Sequence, residues 1–520
     1  MNGAQALIRT LVDCGVDVCF TNPGTSEMHF VAALDHVPEM RGILATFEGV
    51  ATGAAEGYGR MAGKPASVLL HLGPGFGNGL ANLHNARKGR VPVVNIVGDH
   101  ASYHKQYDAQ LESDIETVAR NVSADWTRVC TDPARIGSDA AAAVAASTGP
   151  PGRVATLILP ADVSWLDGGM IGTPQAAEPP SPVDAGTVEQ IASALRSGSR
   201  SALFVGGAAL SMDGLVAASR VANATGAKLL GETFPRRLER GAGIPALERL
   251  GYLAEFAAMQ LDGVQNLVLV DAKAPVSFFA YPGKESYLVP DGCEVQVLAT
   301  GADDVVGALA ALADAVGAPP DGATLAEPSR PARPDGDLTA RSVGDALGAL
   351  LPEGAVLVDE AITSGIFLGT PTAGCPPHTF LSCPIGGSIG EGLPVAVGAA
   401  VAAPDRKIVS LQADGSALYT IQALWSMARE NLDVTVVLFN NGAYDVLNME
   451  LNRVGAEPPG PKAKKMLDLT GPVTNFTKIS EGFGVPATRA STAAELTIQL
   501  EVALETPGPT LVEAMIPGIV

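Results

Sequence analysis

The sequence predicts an α/β protein of three doubly wound parallel-sheet domains, and three observations carry that reading. Short apolar runs, typical of strands buried on both faces, recur along the chain and end on polar residues or glycines. Stretches with apolar residues at helical spacing lie between them. Two Pro-rich segments without periodicity, residues 178–182 and 319–334, divide the 520 residues into pieces of domain size. The expected domains are residues 1–170, 183–318 and 338–520.

In the first domain, strands are expected at residues 18–21, 43–47, 68–71 and 93–97. The first breaks at Asn22-Pro23-Gly24-Thr25-Ser26-Glu27, a turn before a helix start. The second ends on Glu48, followed by a helix rich in Gly and Ala whose small residues allow close packing. The third ends in LGPGFGNG, with a helix starting at about Asn78. A carboxylate such as Glu48, with no basic residue near it in sequence, is either a first-turn partner of the helix dipole or a proton-handling group. His71 closes its strand as a packing residue or a site residue.

The central domain repeats the pattern with strands at residues 202–205, 227–230, 267–270 and 294–298. Gly206-Gly207 follows the first of these, but the GxGxxG dinucleotide fingerprint is missing.

The third domain is expected to open with a helix at Leu338, then a strand at residues 355–358 ending at Asp359-Glu360. Thr363 and Ser364 follow where hydroxyls can bond a phosphate, and a Gly-rich loop runs from Cys383 to Gly390. Residues 407–411 read as a strand, residues 416–431 as a helix and residues 434–439 as a second strand. That βαβ unit makes the strands parallel, so Asp414 and Asn441 share the carboxyl edge of the sheet, where ligands bind. A carboxylate and an amide oxygen without His or Cys suit a hard ion such as Mg²⁺, which bridges to phosphate oxygens. Gly415 and Ser416 open the helix, a seat for a diphosphate. A helix at residues 493–505 and a strand at 509–515 close the chain.

The Ala413-Asp414-Gly415 triplet with its downstream Asn pair resembles the thiamin-diphosphate signature. NPGTSE, FEGVATGAAEGYGRMAGKP and LLHLGPGFGNGLANLHNA resemble the pyrimidine-binding domain of the acetolactate synthase and benzoylformate decarboxylase branch of that family. The resemblance implies thiamin diphosphate and Mg²⁺, with Asp414, Asn441 and the Ala443 carbonyl as metal ligands. It assigns Ala413, Gly415, Ser416, Tyr444, Thr363, Ser364 and Ser388 to the cofactor, with Ile389 propping the pyrimidine against the thiazolium. Glu48 matches the residue that bonds the pyrimidine ring and drives removal of the thiazolium C2 proton. Thr25 and His71 match positions that contact substrate in benzoylformate decarboxylase, whereas Ala280 stands where that enzyme has a second His. Phe47 replaces the usual His before Glu48, and Glu391 replaces an aromatic, as a surface charge or a pocket acid.

The resemblance implies decarboxylation of a 2-oxo acid with acetolactate synthase-like carboligation. A non-ligating decarboxylase is the alternative, supported by His71 and weakened by Ala280. A catalytically silent partner subunit is a third reading, against which intact Asp414, Asn441 and Glu48 weigh. Relatives in this branch place Glu48 and the metal site on different subunits, implying a homodimer or homotetramer with active sites at the interface. Their central domain binds FAD in true acetolactate synthases; here the compact segment lacks an obvious flavin loop, and no FAD is expected. A net charge of −21 argues against nucleic acid and anionic membranes as partners. The N-terminus reads as an amphipathic helix rather than a signal peptide, and six scattered Cys read as reduced thiols of a cytoplasmic protein.

Overall fold

The computed structural model describes residues 1–123, 126–456 and 458–519. Among them the strands form three sheets, of six, five and seven members. The first sheet holds β1 (Val18–Asn22), β2 (Arg41–Leu44), β3 (Ala66–Leu70), β4 (Val93–Asp99), β5 (Thr127–Val129) and β6 (Val154–Pro160). They lie in the order β2-β1-β3-β4-β6-β5, all parallel. The middle of the chain supplies β7 (Ser201–Val205), β8 (Lys228–Gly231), β9 (Leu238–Arg240), β10 (Glu248–Arg249), β11 (Asn266–Val270) and β12 (Glu294–Ala299). Five of these make the second sheet, β10-β8-β7-β11-β12, again all parallel.

The third sheet adds β13 (Val356–Glu360), β14 (His378–Ser382), β15 (Ile408–Ala413), β16 (Val434–Asn440), β17 (Ala487–Ala490) and β18 (Thr510–Met515). Its order is β17-β18-β16-β15-β13-β14-β9. The edge strand β9 comes from the central region and pairs antiparallel with β14, tying the two domains through their backbones. Three α/β parallel-sheet domains are thus present, as the recurring apolar runs predict. The strands β3, β4, β6, β7, β11 and β16 are buried along their whole length, with helices covering both faces.

Several local expectations change. The strand before Glu48 stops at Leu44, and Glu48 is the first residue of the Glu48–Ala62 helix, with Phe47 extended as its cap. The helix expected near Asn78 begins earlier, at Leu72, and runs to Lys88. Pro74 sits in its first turn, where the missing N–H would have no partner anyway, so the Gly- and Pro-rich composition misleads. The Leu338 helix starts at Ala340, because the Thr339 side chain caps it by accepting from Ser342 N. The helix after Asp414 is two, Asp414–Thr420 and Ala423–Arg429.

The first and third domains meet where the Glu48–Ala62 helix crosses the Gly392–Ala402 helix. A Cβ on Gly398 would lie 1.8 Å from Ala54 O, and one on Gly57 would lie 2.2 Å from Val395 O. Backbone-on-backbone contact here requires those glycines, which gives the small-residue helix its purpose. Among the described residues no helix is long and apolar enough to cross a membrane, and the cysteines are all free.

Candidate active site

Because β15 and β16 are parallel neighbours, their carboxyl ends bring Asp414 and Asn441 to one edge. Asp414 is 3% exposed. Its Oδ1 accepts from Gly415 N at 2.8 Å and its Oδ2 from Gly442 N at 2.8 Å. Gly442 has φ +69°, the conformation that turns its N–H back onto the carboxylate. The Asn441 amide is fixed at both ends: Nδ2 donates to Asp445 Oδ2 at 3.1 Å, and Oδ1 accepts from Ala443 N at 3.1 Å. The Tyr444 ring packs on Gly415, where a Cβ would sit 2.4 Å away. Ala413 and Ser416 flank Asp414, half-buried and buried.

A cavity of about 170 Å³ opens here, lined by Asp414, Asn441, Gly442, Leu469, Thr470 and Val473 among others. No Lys, Arg or His side chain pairs with Asp414 among the described residues. Burial pushes its carboxyl up to about 6, against the pull of the Gly442 and Gly415 N–H groups. A buried carboxylate short of a cation, beside amide and backbone oxygens, is a donor set that fits Mg²⁺.

The Gly-rich loop is clamped from two sides. Glu360, at the end of β13, is fully buried and accepts from Gly390 N (2.7 Å), Glu391 N (3.1 Å), Gly392 N (2.8 Å) and Gln412 Nε2 (2.8 Å). From the first domain, Asn85 Nδ2 donates to Ser388 O at 2.8 Å, and Ser388 N donates to Asn85 Oδ1 at 3.2 Å. His84 Nε2 stands 3.1 Å from Gly386 O. Ile389, half-buried, is thereby held between two anchored neighbours. Thr363 and Ser364 lie in the turn after β13, with Ser364 buried.

On the first domain, Glu48 is 7% exposed and accepts from Asn78 Nδ2 at 3.0 Å. His71, at the end of β3, has Nδ1 at 2.8 Å from Glu27 Oε2. Glu27 is 1% exposed and also accepts from Gly24 N at 2.8 Å and Ser26 Oγ at 2.5 Å. With Nδ1 committed to a carboxylate, the other ring nitrogen, Nε2, is the one left for a ligand. Thr25 is exposed at the start of the same short turn. No hydrogen bond or ion pair among the described residues joins Glu48 to Asp414; each belongs to its own domain's edge.

Glu391 is neither a surface charge nor a member of the Asp414 cavity. It is fully buried, pairs with Arg60, which also pairs with Glu56, and accepts from Ile385 N at 2.8 Å. Its carboxyl is raised well above the ordinary range by burial and by Glu56. This triad locks the loop to the first domain. Ala280 is exposed on a central-domain segment whose Tyr281 hydroxyl donates to Glu450 Oε2 at 2.8 Å, while Tyr252 donates to Glu450 Oε1 at 3.0 Å.

Sequence alone does not single out Glu27, Asn78 or Glu360 as site residues. Glu27 stands at capping-box spacing from Gly24, a usable signal. The partners of Glu360 lie some thirty or more positions away, and no local pattern announces them.

Two α/β domains thus present polar sheet edges, one carrying Asp414 beside Asn441 and the other carrying the buried carboxylate of Glu48. Residues 1–119 match the family model for the N-terminal TPP binding domain of thiamine pyrophosphate enzymes, and residues 370–514 match that for the C-terminal TPP binding domain. The chain is 61% identical, over all of both chains, to the "Putative acetolactate synthase large subunit IlvX" of Mycobacterium tuberculosis. It is 29% identical to a benzoylformate decarboxylase of Pseudomonas aeruginosa, covering 96% of each chain. In fold it resembles a Rhodococcus jostii thiamine diphosphate-dependent 4-hydroxybenzoylformate decarboxylase, with a TM-score of 0.86, 23% identity and 99% of each chain covered. The chain belongs to the thiamin-diphosphate-dependent enzyme family.

Proposed function

We propose that this protein decarboxylates a 2-oxo acid using thiamin diphosphate and Mg²⁺, and joins the product carbon to a second carbonyl compound as acetolactate synthases do. The observation that carries the cofactor reading is Asp414, a buried carboxylate without a cation, facing a cavity beside Asn441. When bound, thiamin diphosphate supplies the carbon nucleophile and the electron sink for loss of CO₂. Asp414, Asn441 and the Ala443 carbonyl would hold the metal, and Ala413, Gly415, Ser416, Thr363, Ser364 and Tyr444 would seat the diphosphate. Ser388 and Ile389 would hold the cofactor bent. Glu48, fixed by Asn78, would carry the proton that activates the pyrimidine. Thr25 and His71 would face the substrate.

Carboligation leads because the relative of 61% identity carries an acetolactate synthase name. The Glu27–His71 pair favours a second reading, simple decarboxylation, because an imidazole oriented by a carboxylate can deliver a proton to the product carbon. A homodimer at minimum, or a homotetramer, is proposed in the cytoplasm. In support, the cavity at Asp414 is lined in part by the exposed apolar side chains of Leu418 and Val473, which a second copy would cover. The test is to load the protein with thiamin diphosphate and Mg²⁺, supply a panel of 2-oxo acids, and follow CO₂ and products by NMR. A ligated 2-hydroxy ketone product supports the first reading, and an aldehyde alone supports the second. No CO₂ from any 2-oxo acid would contradict both.

A further inference from the structure

The second sheet reverses strand order at β7, with β8 on one side and β11 on the other. The crevice outside those carboxyl ends is where an open α/β sheet binds a ligand. It opens into an interdomain cavity of about 1040 Å³. A dinucleotide bound there needs free backbone N–H groups for its diphosphate and glycines that let it come close. Gly206-Gly207 stands at that place, yet the protein's own side chains occupy it.

Gly207 N donates to Glu232 Oε1 at 2.9 Å, and Ala208 N donates to Asp271 Oδ2 at 2.8 Å. Asp271 Oδ1 in turn accepts from Arg90 Nη1 of the first domain at 2.5 Å, and Arg90 Nη2 reaches Asp271 O at 3.1 Å. The glycine faces are filled as well. A Cβ on Gly207 would lie 2.0 Å from Asp271 Oδ2, and one on Gly301 would lie 2.2 Å from Arg90 Nη1. Both partners of the ion pair sit in the left-handed backbone region, Arg90 at φ 51° and Asp271 at φ 50°. That conformation is unfavourable for an L-residue, so the surrounding contacts must hold it in place.

We infer that the central crevice is closed to FAD and to adenine nucleotides by Glu232 and Asp271. Two carboxylates stand where phosphate oxygens would need the same N–H groups; the Glu232 charge adds repulsion, whereas that of Asp271 is taken up by Arg90. The Asp271–Arg90 pair instead serves as a latch between the central and first domains. This assignment concerns the central domain alone and does not depend on which reaction the first and third domains perform.

The test uses the full-length protein at pH about 8, where ordinary carboxylates are ionised. FAD binding is followed by flavin fluorescence and ADP binding by calorimetry, for wild type and for the double variant Glu232→Gln, Asp271→Ser. Wild type is expected to show no flavin band and no saturable binding of either ligand up to about 1 mM. The double variant, confirmed folded by circular dichroism, is expected to bind ADP at least about tenfold more tightly than that limit. If it does not fold, Glu232→Gln alone, which leaves the Arg90 latch intact, is expected to show the gain. Saturable FAD or ADP binding by wild type would overturn the inference. So would a folded variant that still refuses ADP, because the carboxylates would then not be what excludes it.

Discussion

Glu27 Oε2 lies 2.8 Å from His71 Nδ1, and the same buried carboxylate accepts from Gly24 N and Ser26 Oγ. One side chain therefore ties the end of β1 and its following turn to the end of β3, and sets which nitrogen His71 offers. If the two act as a unit, His71→Ala and Glu27→Gln should each slow turnover of the 2-oxo acid by about 10²-fold or more. The double variant should be little worse than either alone, since coupled residues are non-additive. Losses that multiply in the double variant would show that Glu27 only caps its turn.

Asp414→Ala should abolish Mg²⁺-dependent binding of thiamin diphosphate, because the diphosphate loses its metal bridge. Titration of the cofactor by quenching of protein fluorescence, with and without Mg²⁺, checks this. Wild-type affinity in the variant would remove Asp414 from the metal site.

Glu360 holds three consecutive backbone N–H groups at the start of the Gly392–Ala402 helix. In Glu360→Gln the side-chain NH₂ faces donors it cannot bond. A stability loss of about 1–3 kcal/mol is expected, the cost of an unsatisfied buried donor. Cofactor affinity should fall with it, since Ile389 rides on the same loop. Chemical denaturation and cofactor titration on one preparation measure both.

Burial pushes the Glu232 carboxyl up to about 7, only partly offset by the Gly207 N–H. Between the ordinary carboxylate value and about 7, the folded chain keeps a proton that the unfolded chain has released. The contribution of this group to stability therefore falls as pH rises through that window. Glu232→Gln has no such proton to lose. Its denaturation midpoint relative to wild type should rise between pH about 5 and about 8. A midpoint difference that stays flat or reverses would contradict the raised value.

What the sequence discloses follows from how local each signal is. The buried strands are legible because short runs dominated by apolar residues have few other fates; β16 and β18 fall within a residue of expectation. Asp414 and Asn441 were legible because a βαβ unit fixes which strand ends share an edge. The helix at Leu72 was hidden because its Gly-Pro-Gly first turn opposes helix propensity, and packing overrides it. Glu391 could not be placed because its partner Arg60 lies in another domain. For the same reason, neither the Glu360 clamp nor the Asp271–Arg90 latch leaves a mark in any short window.

On the proposed function, Glu48 activates a cofactor held by Asp414 and its neighbours. The most direct test is exchange of the thiamin C2 proton for deuterium, read by NMR after acid quench, in wild type, Glu48→Gln and His71→Ala. Glu48→Gln should bind thiamin diphosphate and Mg²⁺ normally and exchange C2 about 10²–10⁴-fold more slowly. His71→Ala should exchange at close to the wild-type rate while turning over 2-oxo acid slowly. Wild-type exchange in Glu48→Gln would show that the carboxylate only begins its helix, and would contradict a role for it in cofactor activation.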